Sequence, residues 1–186
     1  MKNIWKVLRP ALLSFLVLTV ICGLIYPGIV TGIAQLVFPK QANGSIIKVT
    51  LKDGTVKEYG SELIAQEFTD AKYLIGRPAG YTNLSPTSKE EAALVQERID
   101  WWHTLDPTNP DEIPADLVTA SGSGVDPHIS VKAAEYQVVR IAKERNMTRE
   151  EVRAIIKKYT TGRLLGFWGE PTVNVLKVNL ALDGLL

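Results

Sequence analysis

The run Ser121-Gly122-Ser123-Gly124-Val125-Asp126-Pro127-His128-Ile129-Ser130 contains a hydroxyl, a carboxylate and an imidazole, the three groups of a hydrolytic triad. For Ser121 or Ser123 to act as nucleophile, His128 would take its proton while a third group oriented the ring. The spacing argues against this. A nucleophile elbow places glycines two positions either side of the serine, whereas Ser123 has Ser121 and Val125 there. Triad members also normally come from distant parts of a chain. Ser121, Gly122, Ser123 and Gly124 could instead cradle a phosphate ahead of a helix, but no Gly-Lys-Ser/Thr ending follows. A tight glycine turn leading into a helix capped by Ser130 accounts for the run without chemistry.

Little else in the chain offers catalysis. Cys22, His103 and His128 are too few for a disulfide framework or a Cys/His metal centre, so no catalytic or metal-ligating residue is assigned. His103 follows Trp101-Trp102, a pair that reads as core or interface. Between His103 and Lys132 no Lys or Arg occurs, while Asp106, Asp111, Glu112, Asp116 and Asp126 are all acidic. Pro107, Pro110, Pro114 and Pro127 keep the stretch irregular. It is either a solvated loop or a negative patch that attracts cations.

The elements that must position these residues fall into two regions. The 186 residues are 46% hydrophobic with a formal net charge of +1, which excludes a disordered chain and gives no basic stripe for nucleic acid. From Pro10 to Pro39 there is no charge at all. Some 20 apolar residues suffice to cross the hydrocarbon core. The stretch is longer than a secretory h-region of about 7 to 15 residues, which favours a retained anchor over a cleaved signal. Pro27 should end or kink the span, leaving Gly28 to Phe38 as a second helical piece closed by Pro39. Lys2, Lys6 and Arg9 before the span predict a cytoplasmic amino terminus and an extracytoplasmic remainder. That remainder has no cysteine, which suits an oxidising compartment.

Residues 1–39 are therefore expected to form the tail and anchor, and residues 40–186 one extracytoplasmic α+β domain. It should open with a hairpin, Ile46–Leu51 and Val56–Tyr59 around Asp53-Gly54. A short helix is expected over Glu62–Phe68. Ser88 to Glu91 and Thr148 to Glu151 have capping-box spacing ahead of helices carrying Val95, Ile99 and Trp102, and Val152, Ile155 and Ile156. A further helix should start near Ser130, with Val138, Ile141 and Ala142 inward. Gly162 should end the helix that follows Thr148. Val173 to Leu182 alternates as a strand with a bulge at Leu176, expected to pair with the first hairpin.

The words Gly60-Ser61-Glu62-Leu63-Ile64, Gly76-Arg77-Pro78, Ile113-Pro114-Ala115-Asp116-Leu117-Val118-Thr119, Asp126-Pro127-His128-Ile129-Ser130 and Gly169-Glu170-Pro171-Thr172-Val173-Asn174-Val175-Leu176 closely resemble the C subunit of the Kdp-type potassium-transporting P-type ATPase. The resemblance runs from the anchor to Asp183. Val131 and Val139 depart from it, standing where the family often has proline, and a Ser-Gly-Gly run is missing after Pro78. It implies a non-catalytic subunit of a bacterial plasma-membrane complex that imports potassium at the expense of ATP. The implied partners are a channel-like subunit, a P-type subunit that hydrolyses ATP with Mg, and as a further candidate a small single-span subunit. No cofactor is implied for this chain. The family is also described as a catalytic chaperone that raises the ATP affinity of the hydrolysing subunit. The alternative is an anchored extracytoplasmic hydrolase using Ser121 or Ser123 with His128.

Overall fold

In the computed structural model, which describes residues 2–186 and side chains from Ile4 onward, the uncharged stretch is helical up to Val37, and Phe38 at φ −131° and ψ +52° ends the helix. It comprises α1 (Lys2–Val20), a π-helical turn (Ile21–Ile25) and α2 (Tyr26–Val37). The side chain of Lys2, one of the three cations that set the expected orientation, lies outside the described residues. Pro27 is accommodated rather than breaking the helix. It cannot donate to the preceding turn, and the ladder widens just before it, where the Tyr26 N–H reaches Ile21 O five residues back. Ile4–Val37 is 34 residues, roughly 50 Å of helix, more than the ~30 Å of a bilayer core, and is long and apolar enough to cross a membrane. A short α3 (Pro39–Ala42) follows.

The chain divides into two units, one ending at Ile46 and the other Ile47–Leu186. Strand β1 (Ile46–Thr50), which belongs to the second unit from Ile47 onward, pairs with β2 (Val56–Ser61). Asp53 fixes their turn by accepting the N–H and hydroxyl of Thr55 at 2.9 and 2.6 Å, with Gly54 at φ +82°. The expected helix over Glu62–Phe68 does not form. Ser61 Oγ takes the Leu63 N–H in a local turn, and the Ala65 N–H is drawn across to Val125 O at 2.9 Å.

The helices follow their caps. Helix α4 (Lys89–Leu105) starts at Ser88, whose hydroxyl accepts the Glu91 N–H. Only half of that expected box is present, because the Ser88 N–H goes to Ser85 O and the Glu91 carboxylate takes the Thr82 hydroxyl. A 3₁₀ turn (Ala115–Leu117) and β3 (His128–Ser130) lead to α5 (Val131–Tyr136), capped by Ser130, and α6 (Val138–Arg145). Thr148 and Glu151 form the complete capping box of α7 (Arg149–Lys158). This helix stops before Gly162, since Thr160–Thr161 is already strand β4.

The carboxyl end departs most from the expected strand. Only Thr172–Asn174 is extended (β5), after which Asn174 caps α8 (Val175–Leu182) by accepting the Lys177 N–H at 3.0 Å. Strand β5 lies between β3 and β4, antiparallel to both, with Val173 opposite Ile129 and Thr160. It does not pair with the hairpin. The carboxyl end instead reaches the hairpin by packing, with Leu176 and Leu180 of α8 against Ile47 and Val49. The other side of α8, Val175, Val178 and Leu182, belongs to the main core with Trp102, Ile129, Ile141, Val152 and Val173.

Between β4 and β5 the chain forms a small hairpin tip. The N–H of Leu164 donates to Trp168 O and that of Trp168 to Leu164 O, at 2.8 and 2.9 Å, and the Arg163 and Glu170 side chains pair across the base at 2.9 Å. Leu165 at φ +55° and Gly166 at φ +83° make the turn. A left-handed backbone costs a residue such as leucine about 1–2 kcal/mol.

Candidate functional site

Two buried carboxamides hold a segment that has no strand partner among the described residues. Asn179 in α8 accepts the Leu74 N–H and donates to the Leu74 carbonyl, both at 2.8 Å. Gln137, between α5 and α6, does the same for Ile75 at 2.8 and 2.9 Å. The Arg140 guanidinium bonds Gln137 Oε1 at 2.7 Å, the Tyr73 carbonyl and the Ala71 carbonyl. Burial pushes its pKa down to about 10, opposed by Asp106 and Glu144, so it remains a cation at neutral pH. Side-chain amides thus replace a β ladder, and they set the direction in which Gly76, Arg77 and Pro78 leave the core.

These residues enter a cavity of about 620 Å³ lined by Phe68, Arg77, Tyr81, Arg98, Trp101 and Trp102, among others. Trp102, a buried member of this lining, donates its indole N–H to Leu117 O at 3.1 Å. Arg98 donates to Val118 O at 2.8 Å. Arg77 Nε is buried without a hydrogen bond, 3.5 Å from the Asp126 carboxylate.

The glycine–serine turn forms one wall of this cavity. Gly124 sits at φ +71°, where a Cβ would come within 2.7 Å of the Gly80 carbonyl carbon, and the Gly80 N–H bonds Gly124 O at 3.0 Å. The Ser121 and Ser123 hydroxyls lie 3.3 Å apart and accept the backbone N–H groups of Asp126 and Val125. Among the described residues neither serine bonds His128. That ring lies 3.4 Å from the Asn174 amide and 3.5 Å from Asp126. Gly122 has open space around it.

The acidic residues are dispersed. Asp106 is buried and accepts the Asn109 amide. Asp116 takes the N–H and hydroxyl of Ser130 at 2.7 and 3.2 Å, which orients the cap of α5. Asp126 faces Arg77 and His128. Asp111 and Glu112 are exposed. Among the described residues no three His, Cys, Asp or Glu side chains gather in a way that would hold a metal ion.

Arg77 stands out in the sequence only as part of the word Gly76-Arg77-Pro78, and neither Arg98 nor the exposed tip is among the candidate residues above. A signal for the tip was present: Leu164-Leu165-Gly166-Phe167-Trp168 is strongly apolar yet enclosed by glycines and charges, which is unusual for a loop. The meeting of Arg77 with Arg98 carried none, because chain segments far apart bring them together.

The class of protein is now defined: an α+β unit in one chain with a single apolar helix, among the described residues, able to cross a membrane. A family model described as the C chain of the K+-transporting ATPase, KdpC, matches residues 8–184. A potassium-transporting ATPase KdpC subunit of Listeria monocytogenes is 57% identical, the match covering 100% of this chain and 99% of that one. KdpC subunits of Clostridium perfringens and Clostridium botulinum are 54% and 51% identical over 97% and 100% of this chain, and over 98% and 100% of their own lengths. The chain belongs to the KdpC family.

Proposed function

We propose that this chain is an accessory subunit of an ATP-driven potassium import complex of the bacterial plasma membrane. The observation that carries the proposal is the family match across both the apolar helix and the α+β unit, together with relatives alike from end to end. The helix anchors the chain with its amino terminus in the cytoplasm, in keeping with Lys6 and Arg9 ahead of the uncharged stretch that starts at Pro10, and the α+β unit lies outside. A channel-like subunit selects potassium and a P-type subunit hydrolyses ATP with Mg. The present chain supports their assembly and raises the ATP affinity of the hydrolysing subunit without catalysis of its own. With nucleotide on the cytoplasmic side, the α+β unit acts through the anchor or its partners, which requires linked conformational states.

Hydrolysis by Ser121 or Ser123 is disfavoured by the bonds their hydroxyls already make within the turn. The test is purification in mild detergent through a tag on this chain. A large assembly with potassium-stimulated ATP hydrolysis supports the subunit role. A lone chain with esterase activity that Ser123→Ala abolishes supports the hydrolase.

A further inference from the structure

The tip between β4 and β5 exposes Leu164, Leu165, Phe167 and Trp168 at 67 to 78% of their surface. At about 200 Å² per large side chain, that is on the order of 500 Å² of nearly apolar protrusion. A patch of that size is as large as the largest on most monomers, and such patches are often functional.

The backbone adds a second, independent observation. The Phe167 N–H returns to Leu164 O at 3.3 Å, so Leu165 and Gly166 occupy the two central positions of a turn, both at positive φ. Asn, Asp and Gly suit those positions, and leucine at the first does not. Local stability and solubility both oppose Leu165, yet it stands at the apex. Strain retained against both is a mark of a functional position.

We propose that this tip is a preformed knob that docks into an apolar pocket on a membrane-embedded partner subunit of the same ATPase. The proposal rests on the subunit role given above. A fluid bilayer rewards apolar area whatever the backbone does, so it gives no reason to hold Leu165 in a costly conformation. A protein pocket demands a defined shape, and a rigid knob loses little entropy on entering it. The mutual Leu164–Trp168 bonds and the Arg163–Glu170 pair supply that rigidity. The patch is also smaller than the roughly 800 Å² per partner of a stand-alone interface, which argues against a second copy of this chain and for a contact that supplements another attachment. Tryptophan flanked by apolar neighbours is the composition of an interface hot spot, and the paired charges at the base leave the rim neutral.

The experiment uses the full chain co-expressed with its complex and captured through a tag on the hydrolysing subunit. Leu165→Asn and Trp168→Ala should each lower retention of this chain through a detergent wash series at least three-fold. Leu165→Asn alone, in the purified full-length chain, should leave the melting temperature unchanged or raise it by a few degrees, because asparagine tolerates the left-handed backbone. Retention of both variants at the parent level overturns the proposal, as does a melting temperature of Leu165→Asn that falls along with retention. Failure to capture even the parent chain overturns the subunit role itself. A spin label at Leu165→Cys in a Cys22→Ser full chain, reconstituted without partners, should remain accessible to an aqueous relaxant. Shielding there would assign the tip to the bilayer and overturn the proposal.

Discussion

Asn179 and Leu74, 105 positions apart in the chain, exchange two hydrogen bonds of 2.8 Å in a fully buried pair, with the carboxamide occupying the place of a neighbouring strand. Asn179→Leu would keep the volume and leave the Leu74 N–H and C=O without partners. Each unsatisfied buried group costs about 1–3 kcal/mol. The full-length chain should lose about 3 kcal/mol, a fall of roughly 6–12 °C in melting temperature. Asn179→Asp should cost at least as much, since it sets a carboxylate oxygen against the Leu74 carbonyl. A thermal melt of both variants in the same detergent is the measurement. A change under about 2 °C would mean the clamp is unimportant.

Gly124 and Gly122 offer a matched pair. Gly124→Ala puts a methyl group 2.7 Å from the Gly80 backbone at a positive φ, whereas at Gly122 nothing lies within 4 Å. The first substitution should destabilise by about 2 kcal/mol or more and the second by less than about 0.5 kcal/mol. If the turn were also a phosphate cradle, Gly122→Ala would weaken nucleotide binding while leaving stability alone, which calorimetry on the full-length chain would reveal.

The capping box of α7 predicts a pH dependence. The backbone N–H and then the hydroxyl of Thr148 hold the Glu151 carboxylate below its ordinary pKa, so the folded state favours the ionised form. Its contribution is present above the ordinary glutamate value of about 4.3 and is lost as pH falls through the depressed folded value. The difference in melting temperature between the parent and Glu151→Ala should therefore be constant from about pH 7 to 5 and narrow below about pH 4. A difference that does not change down to pH 3 would contradict this.

The caps were legible in the sequence because they are local. A serine or threonine three residues ahead of the N–H it accepts requires no knowledge of the rest of the fold, and Ser88, Ser130 and Thr148 all cap as their spacing indicates. The carboxyl-terminal helix, Val175–Leu182, does not show a helical pattern in the sequence, for a physical reason. It is buried on two sides, Leu176 and Leu180 toward the hairpin and Val175, Val178 and Leu182 toward the main core, which fills in the polar face that marks a helix. Asn174 as N-cap and Gly184 at φ +71° just past the end were the available signals. The site was less legible than the fold. The Ser121–Gly124 turn was visible as a turn, but the cavity it walls depends on Arg77 and Arg98 arriving from elsewhere. Nothing local to Asp116 or Asp126 announces that Ser130 and Arg77 will occupy them.

That placement narrows the electrostatic expectation for the acidic stretch to Asp111 and Glu112, the two exposed members with carboxylates clear of the core. Asp111→Asn with Glu112→Gln should weaken the apparent potassium affinity of the reconstituted complex a few-fold at low ionic strength and hardly at all near 0.15 M, where charges beyond about 8 Å are screened. The readout is ATPase activity against potassium concentration at two levels of a salt whose cation does not compete. Equal affinities at low salt would make the stretch a solvated loop.

Potassium-stimulated ATP hydrolysis, measured as a function of ATP on the complex assembled with and without this chain, bears on its role most directly. If the chain is a supporting subunit, its omission should abolish stimulation or raise the ATP concentration needed for half-maximal rate several-fold, and adding back the full-length chain should restore both. Identical stimulation and identical ATP dependence in its absence would contradict that role.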